Sequence, residues 1–546
     1  MKSKYLSLKA NMLAFAHSTL RMSVVIFLML LTTFSVTTAQ SVKRVEIPTN
    51  GEDNKYQVIT IGEEGVLLLS KTSKKTFNIT KFDTELQQAW SINGDLEENQ
   101  SYVDFYRDGR DVYFLFSKYN SDLYQIIKVS TGIGIMQKFF FENISRFEVS
   151  EFKVYNDFAY LAGMVKEEPV LMSVNLNKLQ PRILAGGLKG TASISSLDFD
   201  DENSLLVVSY SVKKGRSSYM VVKRINQNGK IVDQLTVEPE DDYGLLTGKL
   251  FPLKDGKQLM IGNFGYKGLQ SNGVPMSQGL YISKVDSENP EYLKLHSFTE
   301  FKNFFKFMSQ KQQDRIEKQI VKKKDKGGDL KLNYRVLVHD IIQKDNQYIL
   351  VAEVFYPEFR NTNNGYYGSG LYGSPFWSPY GYSSGLNALR YSRYFGMNSW
   401  AWNPWLWSGS RSMNNQQFDG FKYTHAVVAG FDQKGNLIWD NSFSFDNVKS
   451  MDLKEKVKIK LDNDDITLVY SNKGKLASKI VKGNEVVEGN KIIDVSTQQE
   501  GDRVRDTETD DIEFWHQNYY LAWGYQKIAN KNGGSRKVFY LNKIGF

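Results

Sequence analysis

Short runs of β-branched and aromatic residues, separated by Asp, Gly, Asn and Ser, recur in fours along most of the chain. Residues 101–142 show the pattern as SYVDFYRDG, DVYFLFSKY, LYQIIKVS and GIMQKFFF. Residues 193–238 repeat it as SISSLDFD, SLLVVSYSV, YMVVKRIN and KIVDQLTV. Runs of this length, bounded by turn formers, predict strands joined by hairpins. The Asn228-Gly229 pair suits a tight turn because glycine tolerates positive φ. An Asp or Asn in front of such a turn can accept hydrogen bonds from amides two residues on.

The strands are organised by a repeat, in which a β-rich run ends on an apolar residue, Asp or Asn follows, and a turn leads to another strand. Its markers are Phe82-Asp83, Val129, Val174-Asn175, Ile225-Asn226, Val285-Asp286 and Phe431-Asp432, with weaker copies at Ile480 and Leu541-Asn542. Their spacings are 47, 45, 51, 60, 146, 49 and 61 residues. Taking two unusual segments of 32 and 62 residues out of the long interval leaves 52, back in register. Four antiparallel strands in a repeated unit of this size predict an all-β fold, a β-propeller. A lone blade exposes two apolar faces, so blades must pack in a ring. The chain ends on a run resembling a third strand, Lys537–Leu541, and a strand-like run, Val42–Ile47, lies near its start. The N-terminal strand is therefore expected to complete the last blade. The copies predict eight blades, or seven if the last two are discounted; the competing architecture is an array of β-sandwiches.

The segment Phe431-Asp432-Gln433-Lys434-Gly435-Asn436-Leu437-Ile438-Trp439 resembles the repeat of the PQQ-like (quinoprotein-type) β-propeller superfamily, in which apolar-Asp-x-x-x-Gly-x-x-x-Trp closes each blade and the Trp packs between blades. Only Trp439 and Trp90 keep the Trp. The resemblance implies a propeller. It also implies, for the dehydrogenases of that superfamily, an adjacent Cys pair in many members and a calcium beside a catalytic Asp. The chain has no Cys, and no segment matches the calcium site. The non-enzymatic secreted bacterial members, such as the outer-membrane assembly scaffold, are the closer analogy.

Residues 1–39 read as a signal peptide. Lys2, Lys4, Lys9 and Arg21 form a positive start without acids, and Val24–Val36 is apolar but shorter than the roughly 20 residues of a spanning helix. Thr37 and Ala39 suit cleavage before Gln40; the alternative is an uncleaved anchor. The expectation is a single propeller domain over 40–546, exported to the periplasm or cell surface.

Composition fits a large globular β protein: 546 residues, 41% hydrophobic, 24% charged, 14% aromatic and only 11 Pro. The absence of Cys excludes disulfides, thiolate metal sites and thiol nucleophiles. Losing the signal lowers the formal net charge from +8 to +4. Residues 300–331 alone carry ten Lys/Arg against five acids, and 357–418 carry four Arg against one Glu, so the remainder is mildly acidic.

These two segments are the candidate functional insertions. In 299–331, Phe301, Phe304, Phe305, Met308, Ile316 and Ile320 fall near helical spacing, which predicts an amphipathic basic helix over 299–326. Its cations Lys302, Lys306, Arg315, Lys322, Lys323 and Lys324 are either a solvated face or a contact for an anionic partner, such as lipid headgroups or an acidic polymer. Residues 357–418 form an enlarged hairpin loop within one blade, with 16 aromatics and five of the nine Trp. Candidate binding residues there are Trp377, Trp400, Trp402, Trp405, Trp407, Tyr366, Tyr367, Arg390 and Arg393. Three readings stand: the aromatics cap the propeller, form a partner surface, or stack on sugars or a membrane interface.

Catalytic signatures are absent. The histidines His296, His339, His425 and His516 sit in no metal-binding frame, and His339 and His425 read as structural. Acid clusters at Asp198-Asp200-Asp201-Glu202, Asp462-Asp464-Asp465 and Asp506-Glu508-Asp510-Asp511 lack the spacing of a twelve-residue calcium loop. A carboxylate pair for glycoside chemistry stays open, since such pairs come from distant strands. The expectation is a binding or scaffold protein for an envelope protein or surface polysaccharide, with possible membrane-surface contact, no nucleic acid, no metal and no cofactor. The alternative is a glycan-binding or glycan-cleaving propeller with carboxylates at a central funnel.

Overall fold

The computed structural model describes residues 40–49, 55–361 and 416–545, with short interruptions at 119–120, 145, 166–167, 185–187, 189–190, 240–241, 254–256, 269, 272–273, 287–289, 451–452, 496, 500 and 531–533. The strands form eight antiparallel blades in a propeller ring. Blade 1 runs from Lys55–Thr60 to Gln88–Asp95, blade 2 from Ser101–Asp108 to Met136–Glu142, and blade 3 from Glu148–Tyr155 to Gln180–Ile183. Blade 4 runs from Thr191–Asp200 to Ile231–Val237, blade 5 from Tyr243–Leu245 to Pro290–Ser297, and blade 6 from Arg335–Val338 to Leu437–Ser444. Blade 7 spans Lys458–Asp462 to Glu485–Asp494. Blade 8 comprises Asp502–His516, Tyr519–Asn530 and Gly534–Gly545, and its outer strand is the N-terminal Gln40–Pro48.

The ring has a simple energetic basis. Second and third strands bury both sides, as in Asp111–Ser117, whereas an outer strand such as Gln180–Ile183 is exposed throughout. Each blade therefore has two apolar faces to cover, and each of the eight blade-to-blade interfaces holds one hydrophobic cluster. The last closes the circle, with Leu521, Phe539 and Leu541 of blade 8 against Tyr56, Val58 and Leu68 of blade 1.

Every repeat marker lies in the third strand of a blade. The side chains of Asp83, Asn175, Asn226 and Asp432 accept amide hydrogen bonds of 2.8–3.0 Å from two to four residues on. The register shifts at Phe82, Ile225, Val285 and Phe431. At Asn228-Gly229 only the glycine has positive φ, at 74°, so the repeated element is a bulged hairpin rather than a two-residue turn. Trp439 and Trp90 both reach the next blade: Trp439 packs beside Gly483 of blade 7 and Trp90 beside Gly134 of blade 2.

The basic insertion differs from its expected form. Its helix, α1, spans only Gln310–Lys324 and has no buried residue. Phe298 and Phe304 belong to short 3-10 turns, Phe298–Glu300 and Phe304–Phe307, and with Phe301 they wedge between blades 5 and 6. The apolar spacing that suggested one amphipathic helix thus comes from core phenylalanines followed by a separate, polar helix. Ser309 and Gln312 form a capping box that fixes where this helix starts.

Candidate functional site

Strand order decides which parts of the chain meet. In a four-stranded antiparallel blade, the link from one blade to the next and the hairpin between second and third strands fall on the same face of the ring. We call this the upper face. The insertion 298–334 links blades 5 and 6, so it leaves from this face. The strands flanking the aromatic segment, Gln347–Asn361 and Gln416–Asp432, are the second and third strands of blade 6, so they end there too. They pair from Gln347↔Asp432 out to Asn361↔Gln416, beyond Phe355, where the pairing with the first strand stops. This arm is longer than the sequence suggested, and Lys449–Ser450 pairs alongside its base. The candidates Tyr366, Tyr367, Trp377, Arg390, Arg393, Trp400, Trp402, Trp405 and Trp407 lie outside the described residues.

The candidate cations Lys302, Lys306, Arg315, Lys322, Lys323 and Lys324 are all exposed, and none forms an ion pair among the described residues. The insertion is fastened at both ends. The Asp440 carboxylate of blade 6 accepts from the amides of Lys302 (2.8 Å) and Asn303 (2.7 Å). Gln278 of blade 5 donates to the Leu330 carbonyl (2.8 Å) and accepts from the Leu332 amide (3.0 Å). Burial pushes the Asp440 carboxyl above its ordinary value, opposed by these amides.

A second cluster gathers residues of four blades around the channel. Lys249 of blade 5 pairs with Asp340 (2.8 Å) and Glu455 (3.4 Å). His339 Nε2 donates to Glu353 (3.0 Å), and its Nδ1 faces Glu455 at 3.9 Å. Glu353, fully buried, also accepts the amides of Lys456 (2.8 Å) and Val457 (2.7 Å), which pins the link between blades 6 and 7. On blade 8, Glu513 meets Lys458 at 3.0 Å and Asp511 meets Lys454. Burial raises the Asp511 carboxyl, but Lys454, Lys456 and Lys458 outweigh it and hold the group down to about 2. Glu455 is likewise pushed up by burial and brought down to about 2 by His339, Lys249 and Lys458. Glu513 and Asp510 are shifted upward by burial. Two carboxyls two residues apart on one strand thus have affinities for the proton driven in opposite directions.

Sequence reasoning singled out Asp510 and Asp511 only as part of an acid run, and missed Glu353, Glu455, Lys456, Lys458 and Glu513. One signal was present: Glu353 is the lone charge in the apolar run Tyr348–Phe355. The other acid clusters do different work. Asp198 pairs with Lys153 at 3.1 Å, and Asp462 and Asp465 face each other across a hairpin. No group of three metal-ligating side chains occurs among the described residues, nor any helix long and apolar enough to cross a membrane.

No known family profile matches the sequence, and no curated protein matches it. Among solved structures, the chain is similar to the polysaccharide lyase Uly1, at 9% identity and TM-score 0.40, covering 93% of this chain and 99% of that one. It is also similar to the β-propeller domain of the trilobed protease from Pyrococcus furiosus, at 8% identity and TM-score 0.33, covering 80% and 97%. The Dos1 propeller is 9% identical, with TM-score 0.36 and 78% of each chain covered. Similarity of this order speaks to neither substrate nor mechanism.

Proposed function

We propose that the protein is an exported bacterial propeller, a divergent member of the PQQ-like repeat superfamily, that binds a partner on its upper face rather than catalysing a reaction. One observation carries this reading: the basic insertion and the arm bearing the aromatic segment leave the same face at the same blade. The exposed cations Lys302, Lys306, Arg315, Lys322, Lys323 and Lys324 form no ion pair among the described residues, which suits an anionic envelope protein or surface polymer. The Trp, Tyr and Arg content of 362–415 is that of interface anchors. α1 is too polar to insert into a bilayer, so any membrane contact would be with headgroups alone.

The test uses residues 40–546 and alginate as the polyanion. Exchanging Lys302, Lys306, Arg315, Lys322, Lys323 and Lys324 for Glu should abolish capture, and wild-type capture should weaken with added salt. Replacing residues 362–415 with Asn-Gly should reduce it while leaving the melting curve cooperative. Unchanged capture by both variants sinks the reading. The second reading, a glycan-cleaving channel, is favoured by the opposed shifts of Asp511 and Glu513. Release of new reducing ends from alginate in the same incubation would decide for it.

A further inference from the structure

We propose that the outward side of α1 is a track for a linear acidic polysaccharide carrying a carboxylate on every sugar ring, laid parallel to the helix axis. The proposal rests on the reading that this insertion meets an anionic partner, and it names that partner. Lys311, Arg315, Lys318 and Lys322 follow at steps of four, three and four residues, which aligns them in a single row along the helix. All four are exposed, and none forms an ion pair among the described residues. The half-buried side chains of α1, Gln313, Ile316 and Ile320, each lie two residues from a member of the row. Two residues turn the helix through about 200°, so the row points away from the ring. It is costly to its own helix, because like charges three or four residues apart repel, and three such pairs occur along it. Lys311 stands in the first turn, where the helix end is partly positive, and that turn holds no acid. Asp314 precedes Lys318 by four residues, yet its carboxylate accepts from Gln310 at 2.9 Å instead. An anion from outside relieves these repulsions together. The row is also held in place: Ser309 and Gln312 fix the start of the helix, and beyond its end Tyr243 of blade 5 donates to Asp329 at 2.9 Å.

Spacing selects the polymer. From the rise of a helix, the four charges sit roughly 6, 4.5 and 6 Å apart along the axis. A chain of pyranose rings joined through opposite positions advances by a similar step per ring, so a carboxylate on each ring meets a cation each time. An extended acidic peptide shows the same face only every ~6.7 Å and falls about 3.5 Å out of step over the row. Gln319, exposed and without a hydrogen bond among the described residues, neighbours both Arg315 and Lys322. Its amide both donates and accepts, which suits ring hydroxyls.

Fluorescence anisotropy on residues 40–546 tests the track with three labelled probes of equal charge. These are an oligomannuronate, a hyaluronan fragment, whose carboxylates sit on every second ring, and an oligoglutamate. The oligomannuronate should bind at least about tenfold tighter than the other two. Exchanging Lys311, Arg315, Lys318 and Lys322 for Gln should weaken its binding at least about tenfold. That variant should melt no lower than the wild type, because glutamine keeps the helix and the repulsion is gone. Exchanging Lys302, Lys306, Lys323 and Lys324 for Gln removes as much charge off the row, and should weaken binding by no more than about threefold. Equal losses in the two variants, hyaluronan bound as tightly, or a fall in the first variant's melting temperature would each overturn the proposal and leave the anionic-partner reading standing. Tighter binding of the oligoglutamate would overturn it in favour of an acidic protein. No binding of any of the three probes would sink both.

Discussion

His425 sits in the third strand of blade 6 with no exposed surface. Its ring stacks on Phe307 at 3.8 Å and meets Phe304 edge-on at 4.9 Å. Nδ1 is 3.0 Å from the Thr424 hydroxyl, and Nε2 has no hydrogen-bond partner among the described residues. Burial therefore holds its pKa down to about 3, against an ordinary 6.5. The folded state binds the proton less well than the unfolded chain, so stability is complete above pH 6.5 and falls as the pH drops towards 3. His425→Phe keeps the ring and removes the titration. Between pH 6.5 and 5 the variant should gain up to about 2 kcal/mol relative to wild type. Urea midpoints at the two pH values measure this. A constant gap would show that His425 does not titrate in that window. His296 and His516 are also shifted down by burial, so part of the acid slope should remain in the variant.

At the scale of elements, the basic insertion depends on its fastenings, since α1 itself buries nothing. Asp440→Ala would leave the amides of Lys302 and Asn303 without acceptors beside the wedge of Phe298, Phe301 and Phe304. The expected cost is about 2–3 kcal/mol for the lost charge-assisted hydrogen bonds. It should appear locally, as faster tryptic cleavage at the lysines of α1 before any change in global unfolding. Equal cleavage rates would mean that the wedge alone holds the segment. This element also shows where the sequence stops being legible. The bulged hairpins were readable because Asp83, Asn226 and Asp432 act on amides a few residues away. The basic helix of the insertion was legible, but its start was placed too early because Phe301 and Phe304 answer to blades 5 and 6, whose positions follow only from the closed ring. The channel cluster was invisible for the same reason: Lys249, Glu353, Glu455 and Glu513 are distant in sequence, and no local pattern ties them together.

For the whole molecule, closure is the decisive contact. A ring of blades has no free apolar face only if the last interface is made, and here an outer strand from the opposite end of the chain completes it, adding Val45 and Ile47 to the cluster. Gln40–Pro48 pairs with Gly534–Gly545 from Gln40↔Gly545 to Pro48↔Val538. Its side chains fix the register. Buried Arg44 donates to Gln526 and Glu46, each at 2.8 Å, and lies 4.4 Å over the Tyr540 ring. Glu46 in turn meets Arg536 at 2.7 Å. Cleavage before Gln40, as the leader pattern suggests, would leave this strand whole. Removing residues 40–48 should expose the edge of Gly534–Gly545 and strip Val45 and Ile47 from the cluster between blades 8 and 1. The expected loss is on the order of 5 kcal/mol, with aggregation through the open edge. A synthetic peptide of residues 40–48 should restore the melting temperature by adding the missing strand, and the same peptide with Arg44→Ala should not. A truncated chain as stable as the full one would mean that the ring does not need its closing strand, and the reason for a circular fold would have to be sought elsewhere.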